Sequence, residues 1–330
     1  IVIAVDAMGG DDAPKKIING IIDNSKSNKN VFYKIFGDTN KIEKYISKEL
    51  NKETFEIIHT DEKVLDTDTA LSGAKKSKNT SMWLAINSVK EKKSDIVVSA
   101  GNTGALFVIS KLNLNMIEKI DKPALAGLWP NINGMNIVLD LGANIECNEK
   151  NLVDFCVMGS SLFKSLFPDE NSNVGLLNIG SEEMKGNEII KKTFQNLNEK
   201  RNLTFKFSGY IEADQIMSGK VNVIVTDGFT GNIALKTAEG TANFINTELK
   251  KNITSNLIGK ILTALNYKNF KRFKDRLDPR LYNGAILIGL DSPVVKSHGS
   301  TDYIGFSNSL NVCKKIVEGD LINKIKNNIF

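Results

Sequence analysis

Glycine and asparagine meet at four places where an apolar, strand-like run passes into a helix-like one, as in IVVSAGNTGALFV at 96–108. The four corners are Gly101-Asn102-Thr103-Gly104, Gly142-Ala143-Asn144, Gly180 to Gly186 with Lys185 inside it, and Gly228-Phe229-Thr230-Gly231-Asn232. The start of a helix presents unpaired N–H groups and a partial positive charge. Glycine lets the backbone approach a ligand closely, and an asparagine amide can donate or accept hydrogen bonds. One such corner is an ordinary turn, but four of them predict a site for phosphate or a carbonyl oxyanion.

The spacing of these residues excludes two familiar phosphate-binding loops. A dinucleotide site needs G-x-G-x-x-G after the first strand, where this chain reads DAMGGDDAP. An ATP loop needs G-x-x-x-x-G-K-[ST], but Lys236 and Thr237 follow Asn232 only after three apolar residues. The chain therefore has neither fingerprint.

Few side chains suit covalent catalysis. The three cysteines are widely spaced with no C-x-x-C pair, which is typical of a reducing compartment and of buried, inert thiols. His59 ends an apolar run and is expected at the surface. His298 follows an apolar strand in VVKSHGSTD, which makes it the candidate general acid, and Asp227 is expected to orient a neighbouring group.

The elements that must position these residues alternate between strands and helices. The predicted strands are IVIAVDA (1–7), VFYKIFG (31–37), FEIIHT (55–60), DIVVSA (95–100), NIVLDLG (136–142), VGLLNIG (174–180), TFKFSGY (204–210) and VNVIVTDG (221–228). Most are continuously apolar, as expected when helices cover both faces of a sheet. The alternation predicts an α/β fold, a three-layer sandwich around a parallel or mixed sheet.

In open α/β sheets ligands bind beyond the carboxyl ends of the strands. We therefore expect Asn102, Thr103, Asn144, Asn232 and Lys185 to line one cleft at one edge of the sheet. No linker or repeat divides the chain, so residues 1–330 are predicted to form a single α/β catalytic domain. A strand-free stretch at about 243–278 is predicted to be a helical insertion.

The bulk composition narrows the classes of partner. The chain has 330 residues, a net charge of +5 and no apolar run near the ~20 residues that a membrane-spanning helix needs. The sequence shows no zinc spacing, aromatic RNA-binding pattern or recognition helix, so no nucleic acid is expected as a partner. We expect a cytoplasmic enzyme.

Seven stretches in this order resemble one family over the whole chain, the acyl-acyl-carrier-protein:phosphate acyltransferases of phospholipid synthesis. They are AVDAMGGDDAP (4–14), VSAGNTGAL (98–106), LDLGANIEC (139–147), FCVMGS (155–160), GLLNIGSEEMKGNE (175–188), DGFTGNIALKTAEG (227–240) and SHGSTD (297–302). The resemblance implies a fold like that of isocitrate and isopropylmalate dehydrogenases. It also implies a homodimer, peripherally associated with an anionic membrane, that makes acyl phosphate from acyl carrier protein thioester and inorganic phosphate. A downstream glycerol-3-phosphate acyltransferase is then an expected partner.

The chain departs from the family pattern in two places. A stretch that is Arg-Arg-x-Lys-x-x-Ser-Met in relatives reads AKKSKNTSM here, which keeps the charge at Lys75, Lys76 and Lys78 but loses the bidentate fork of arginine. The usual Glu-Gly-x-Asp appears as Glu-Ala-Asp-Gln at 212–215. The three lysines are expected to form part of a basic docking surface for the acidic carrier protein.

The implied reaction agrees with the residues. Phosphate is a competent nucleophile and a thiolate with a pKa near 8.5 is a good leaving group, so we expect neither a metal nor an organic cofactor. The site then needs anion-binding donors, an oxyanion hole and positioning. We assign Asn232 as oxyanion donor, His298 as acid to the leaving thiolate, and Lys185 to phosphate.

Three alternatives stay open from the sequence. One is an acyl-CoA:phosphate acyltransferase, which differs only in the thioester it uses. Another is a metal- and NAD-dependent dehydrogenase of the same fold, which would need a carboxylate cluster for the metal. The third is a non-catalytic phosphate sensor or membrane scaffold.

The insertion has an amphipathic pattern. Apolar residues recur at three- and four-residue spacing, at Ile253, Leu257, Ile258, Ile261, Leu262 and Leu265. The following stretch, KNFKRFKDRLD, is rich in basic residues. This pattern fits a helix lying on anionic lipid, and equally a helix packed on the protein core or across a dimer interface.

Overall fold

The computed structural model describes residues 1–76, 78–253, 265–276 and 278–329, and these contain eleven strands. They are β1 (Val2–Asp6), β2 (Phe32–Gly37), β3 (Phe55–His59), β4 (Ile96–Ser99), β5 (Ala124–Pro130), β6 (Met135–Leu139), β7 (Asn173–Leu177), β8 (Lys206–Ile211), β9 (Val223–Val225), β10 (Ala285–Ile288) and β11 (Val294–Lys296). All eight strands in the predicted list are confirmed. β5 and β10 were not predicted.

Helices lie between most of the strands. They are α1 (Lys15–Ser27), α2 (Thr39–Glu43), α3 (Ala70–Lys75), α4 (Ser81–Lys90), α5 (Thr103–Asn113), α6 (Glu149–Leu166), α7 (Glu188–Glu199), α8 (Gly228–Ile253), α9 (Tyr267–Arg276), α10 (Tyr303–Glu318) and α11 (Leu321–Asn328). Short 3₁₀ turns occur at Lys52–Thr54, Ala213–Gln215 and Pro279–Tyr282.

The strands form one mixed sheet of eleven in the order β3-β2-β1-β4-β11-β10-β5-β6-β9-β7-β8. From β3 to β11 neighbouring strands are parallel. The next three steps, β11–β10, β10–β5 and β5–β6, are antiparallel, and from β6 to β8 the strands are parallel again. Because three antiparallel steps reverse the strand direction, the two parallel halves of the sheet run in opposite directions.

The carboxyl ends of the strands therefore lie at two edges. We call the carboxyl ends of β1, β4 and β11 the first edge, and those of β6, β9 and β7 the second edge. A sheet twists by roughly 20–25° per strand, so the four steps from β4 to β6 turn the second edge by about 80–100° relative to the first. The four glycine corners therefore do not share one edge, and that prediction is wrong. It assumed that the strands before the four corners all run in the same direction.

Alternate residues of β1 belong to separate apolar cores. Ile3 and Val5 pack in one cluster with the isoleucines of α1 and with Phe306 of α10. Ala4 packs in another cluster with Ile86 of α4 and Ile109 of α5. Side chains of a strand point alternately to opposite faces, so helices cover both faces of the sheet at β1. This arrangement explains why the strands read as continuously apolar.

Helix α1 shows how the local sequence builds this packing. Its isoleucines at 17, 18, 21 and 22 recur at helical spacing and are all buried. Gly20 lies on the face toward α10, where a Cβ would come within 2.9 Å of the Phe306 ring. The helix is thereby held close to α10, and its first turn is fixed at the first edge of the sheet.

The predicted insertion begins inside a longer helix. α8 runs without a break from Gly228 to Ile253, so residues 243–253 continue the helix that starts at the second edge. α9 follows at Tyr267–Arg276. The apolar face expected at Leu257, Ile258, Ile261 and Leu262 falls on residues outside the described ranges. Within those ranges, no helix has the length and apolarity to cross a bilayer.

Candidate active site

The corner after β6 encloses a carboxylate of the protein itself. Asp140 is fully buried and accepts backbone hydrogen bonds from Leu125 (3.0 Å), Ala143 (2.9 Å) and Asn144 (2.8 Å), with a longer one from Gly142 (3.2 Å). Burial raises the pKa of this carboxyl, and the hydrogen bonds oppose that rise. The predicted anion-binding geometry exists at this corner, but its N–H groups point at Asp140.

The corner after β4 is organised in the same way by a second buried aspartate. Asp6 accepts hydrogen bonds from the hydroxyls of Ser81 and Ser99, each at 2.6 Å. The Ser99 hydroxyl in turn accepts the N–H of Gly101 at 3.0 Å. Burial is the largest influence on Asp6 and raises its pKa. Neither Asp6 nor Asp140 was predicted, although each directly follows an apolar strand run.

Two of the predicted asparagine donors are already fully used. The amide nitrogen of Asn144 donates to Asp140 (2.8 Å) and to the Pro123 carbonyl (2.7 Å). That of Asn102 donates to the carbonyls of Asp68 (2.8 Å) and, more weakly, Asp66 (3.3 Å), while its oxygen caps α5. An amide nitrogen has only two hydrogens. Both residues therefore hold loops in place and have no amide N–H left for a ligand.

Asn232 differs from these two asparagines. It is exposed, and its amide nitrogen donates one hydrogen bond, of 3.3 Å, to the Leu141 carbonyl. Its second N–H is available to a ligand at the second edge. The nitrogen also lies 2.9 Å from where a Cβ on Gly142 would be, and Gly142 has a φ of +126°. Only glycine gives this turn the room to bring the amide so close.

The other predicted residues of the second edge lie around Asn232. Gly228 donates its N–H to the Asn144 carbonyl (2.8 Å), which joins the start of α8 to the corner after β6. Gly231 touches the backbone of Asp140 so closely that a Cβ would be 1.9 Å from its oxygen. The Asp227 carboxylate accepts hydrogen bonds from the N–H and hydroxyl of Thr230, so the group that it orients is in the first turn of α8, which directly follows it.

The corner from Gly180 to Gly186 follows β7 on the same edge. The Asn178 amide donates to the carbonyls of Gly180 and Lys185, each at 3.1 Å, and thereby closes the loop. The side chain of Lys185 is exposed. The structure thus brings together three of the four corners, and it places Gly101, Asn102, Thr103 and Gly104 at the first edge.

Helix α8 spans from one edge toward the other. It begins beside Asp140, and two or three turns later its Lys236 and Glu239 interact electrostatically with His298. His298 belongs to the loop after β11, at the first edge. Lys236 is four residues beyond Asn232, which corresponds to about 6 Å along a helix. Asn232 therefore lies about one helical turn before the part of α8 that acts on His298.

His298 is held as a neutral imidazole. Burial of the ring and the neighbouring Lys296 both lower its pKa from the usual 6.5. Its Nδ1 accepts the Ser300 N–H (3.3 Å) and lies 3.0 Å from the Ser300 hydroxyl, an arrangement that suits the tautomer with its proton on Nε2. Such a ring donates a hydrogen bond through Nε2, but it carries less of the protonated form that a general acid needs at neutral pH.

Two lysines that were not predicted lie next to His298. Lys16 of α1 is only 4% exposed and donates to the Gly299 carbonyl. Lys296, the last residue of β11, donates to the Ala100 carbonyl at 3.3 Å and to the Ser297 carbonyl. Their motifs, GGDDAPKK and VVKSHG, are 280 residues apart, so no local pattern could have paired them.

One of the three lysines predicted to form the docking surface for the carrier protein is paired with a carboxylate. Lys76 contacts Asp68 at 2.6 Å, and this contact lowers the pKa of the aspartate. Lys75 is exposed, and the Lys78 ammonium lies 5.9 Å from the Trp83 ring centre. Cys147, Cys156 and Cys313 are buried, and burial raises the pKa of Cys147 to about 11, as expected for inert thiols.

The sequence matches a known protein family over almost its whole length. The model of a family described as "Fatty acid synthesis protein" matches residues 1–324. A phosphate acyltransferase of Pelagibacter ubique is 70% identical over 329 residues, which cover 100% of this chain and 98% of that protein.

Solved structures show the same fold at low sequence identity. A phosphotransacetylase from Staphylococcus aureus is 15% identical, with a TM-score of 0.64 over 97% of this chain and 94% of that one. A 4-hydroxythreonine-4-phosphate dehydrogenase from Klebsiella pneumoniae is 11% identical, with a TM-score of 0.53 over 96% and 98%. The predicted likeness to a dehydrogenase-type fold is thus confirmed at the level of an α/β fold with a large mixed sheet.

Proposed function

Because the chain belongs to the fatty acid synthesis protein family, we propose that it is a phosphate acyltransferase that moves a fatty acyl group from acyl carrier protein to inorganic phosphate. The observation that carries the proposal is the 70% identity, over the full chain, to a protein named phosphate acyltransferase. The fold, which matches that of a phosphotransacetylase, is compatible with it. The product, an acyl phosphate, would serve phospholipid synthesis.

The proposed reaction is a direct displacement at the thioester. A phosphate oxygen attacks the carbonyl carbon, a C–O bond forms, the C–S bond breaks and the carrier thiolate departs. The free N–H of Asn232 is suited to the oxyanion of the tetrahedral intermediate, where one donor typically contributes 10²–10³-fold in rate. His298 can donate a hydrogen bond from Nε2 to the departing sulfur, and Lys185 lies at the same edge as Asn232.

Steady-state kinetics with defined thioesters test this function. Purified protein should release carrier-protein thiol from long-chain acyl carrier protein only when phosphate is present, and acyl phosphate should accumulate in step with it. The same chain length on coenzyme A distinguishes the alternative thioester. Equal kcat/KM for the two thioesters would refute the carrier-protein assignment, and thiol release that does not depend on phosphate would refute acyl transfer to phosphate.

We also propose that the protein is a homodimer at the cytoplasmic surface of an anionic membrane, next to a glycerol-3-phosphate acyltransferase that uses its product. The outer half of α8 exposes Phe244, Ile245 and Leu249, and α9 exposes Phe273 beside Lys271 and Arg272. Exposed apolar residues near basic ones suit a lipid surface. Phe244→Glu with Leu249→Glu should abolish sedimentation with anionic vesicles at unchanged dimer mass, whereas a monomeric double variant would assign the face to the dimer interface.

For the whole chain we propose one catalytic domain with a three-layer arrangement of helices on both faces of the sheet. The continuous eleven-stranded sheet and the two core clusters on opposite faces of β1 support it. A single domain of this kind should unfold in one urea transition, with the same midpoint by fluorescence and by circular dichroism. Two separated transitions would contradict it.

A further inference from the structure

Two lysine ammonium groups lie against neighbouring loops at the first edge of the sheet. Neither lysine was among the residues predicted to line the cleft. Lys16 reaches the Gly299 carbonyl from α1, and Lys296 reaches the Ala100 carbonyl from the end of β11. We propose that Lys16 and Lys296 together bind the phosphate that accepts the acyl group, in place of Lys185, the residue predicted from the sequence, which lies at the second edge. The proposal rests on the proposed function, since it assigns a place to one of its two substrates.

The charges of these lysines are not neutralised by a carboxylate in contact. The acceptors of both ammonium groups are backbone carbonyls, and among the described residues neither lysine takes part in an ion pair. Lysine is seldom buried without a partner of opposite charge. Lys16 is nevertheless 96% buried, and its nearest acceptor is a neutral carbonyl, which leaves room for an anion as its partner.

The two ammonium groups and His298 influence one another. Burial lowers the pKa of Lys296 and of His298 most; Lys16 lowers that of Lys296 further, and both lysines lower that of His298, as expected for nearby like charges. Carboxylates at longer range offset part of this repulsion: Asp11, Asp12 and Asp66 raise the pKa of Lys16, and Asp66 and Asp6 raise that of Lys296. An anion placed between the lysines would remove the repulsion.

Backbone, rather than bulky side chains, surrounds this place. A Cβ built on Gly10 would lie 3.1 Å from the Lys16 ammonium nitrogen and 2.8 Å from the Ala100 oxygen. Gly10 has a φ of +81°, which favours glycine. A Cβ on Gly9 would lie 2.6 Å from the Gly101 nitrogen. Three glycine-containing segments therefore converge on the two lysines from β1, β4 and β11.

Charge identifies the ligand among the substrates of the proposed reaction. The reacting end of a thioester is neutral, whereas phosphate carries up to two negative charges at neutral pH. Two ammonium groups match a phosphate dianion in charge. The amide-lined second edge, with Asn232, then receives the thioester carbonyl.

The experiment compares three variants that replace a lysine by methionine, which keeps most of the side-chain stem. Lys16→Met and Lys296→Met remove the proposed charges. Lys92→Met is the matched control, because Lys92 contacts Ser292 (3.3 Å) at the opposite ends of β4 and β11. Steady-state KM values for phosphate and for the thioester are measured separately, and calorimetry follows the binding of inorganic phosphate to the free enzyme.

Each charge removal should raise the phosphate KM by about 10- to 100-fold, as expected for a lost hydrogen bond to a charged group. The thioester KM should change less than about twofold in the same variants, and Lys92→Met should match the wild type. Lys296→Arg should recover part of the phosphate affinity because the charge returns. Wild-type phosphate affinity in a folded Lys16→Met, Lys296→Met double variant would overturn the proposal.

A measurement on the unmodified protein covers the case in which a methionine variant does not fold. Near-saturating phosphate should slow reductive methylation of Lys296 by about fivefold and leave Lys92 unchanged, because a bound ligand protects in proportion to its occupancy. Equal protection of both lysines, or none, would refute the site. If the enzyme transfers no acyl group yet phosphate protects Lys296, the proposed function fails and the binding site stands.

Discussion

The two edges of the sheet use the same device and present different chemistry. At each edge a buried aspartate after an apolar strand, Asp6 or Asp140, fixes a glycine corner. The first edge then presents Lys16, Lys296 and His298, whereas the second edge presents the Asn232 amide and backbone groups. Similar corners in one chain therefore support charged side chains at one edge and an uncharged amide at the other.

The Gly-Asn corners at the two edges share a structural role. At the corner after β6, Asp140 accepts three of the backbone N–H groups directly, and at the corner after β4, Ser99, bonded to Asp6, accepts that of Gly101. The corners are rigid supports, and the groups free to act are the side chains mounted beside them.

The largest effect is expected at the closest backbone contact of the second edge. Gly231→Ala would force a methyl group to within 1.9 Å of the Asp140 oxygen, and because that atom is backbone the structure must shift. We expect a loss of at least about 3 kcal/mol in the free energy of unfolding. Urea denaturation measures it. Gly240→Ala in the same helix meets nothing within 4 Å and should instead stabilise by ~0.5–1 kcal/mol.

The two aspartate supports should differ in their tolerance of an amide. Asp140→Asn places an NH₂ group against fixed backbone N–H donors, which leaves buried donors unpaired at a cost of about 2–3 kcal/mol. Asp6→Asn should cost only about 1 kcal/mol, because two of its three partners are hydroxyls that can turn to accept. Thermal and urea midpoints of the two variants should show this order. Equal losses would mean that the hydroxyls cannot turn.

Removal of the free amide should lower the rate with little loss of stability. Asn232→Ala should reduce kcat by about 10²-fold if its N–H stabilises the oxyanion. The side chain is exposed and makes a single 3.3 Å hydrogen bond, so the unfolding midpoint should barely move. Asn144→Ala is the contrast, since loss of its two short bonds should act on stability. A wild-type kcat for Asn232→Ala would remove this residue from the reaction.

The smallest effect is expected from pH at the first edge. Burial, and secondarily the charge of Lys16, lower the pKa of Lys296 to about 8, while Asp66 and Asp6 oppose this shift. The ammonium is thus charged below pH 8 and loses its proton above it, so the phosphate KM should rise about tenfold between pH 7 and 9. Lys296→Arg should abolish this rise, because arginine stays protonated. A rise that persists in Lys296→Arg would come from another group.

The sequence by itself determined the strands whose two faces are both covered by helices, because a continuous apolar run indicates burial on both faces. It also placed glycine and asparagine correctly after β4, β6, β7 and β9, since turn chemistry is local. It did not predict β5 and β10, each of which pairs antiparallel with both of its neighbours. A run of four to seven residues gives no sign of the direction of its neighbour.

Only the tertiary structure decided which corners face each other. Three antiparallel steps at the centre of the sheet put Asn102 and Asn232 at different edges. The number of such steps depends on pairings between segments that are far apart in the chain. The structure also decided that Asp140 fills its own corner and that Lys16 meets Lys296 across 280 residues. Charge and hydrogen-bond saturation are properties of neighbours in space, whereas a sequence motif describes only neighbours along the chain.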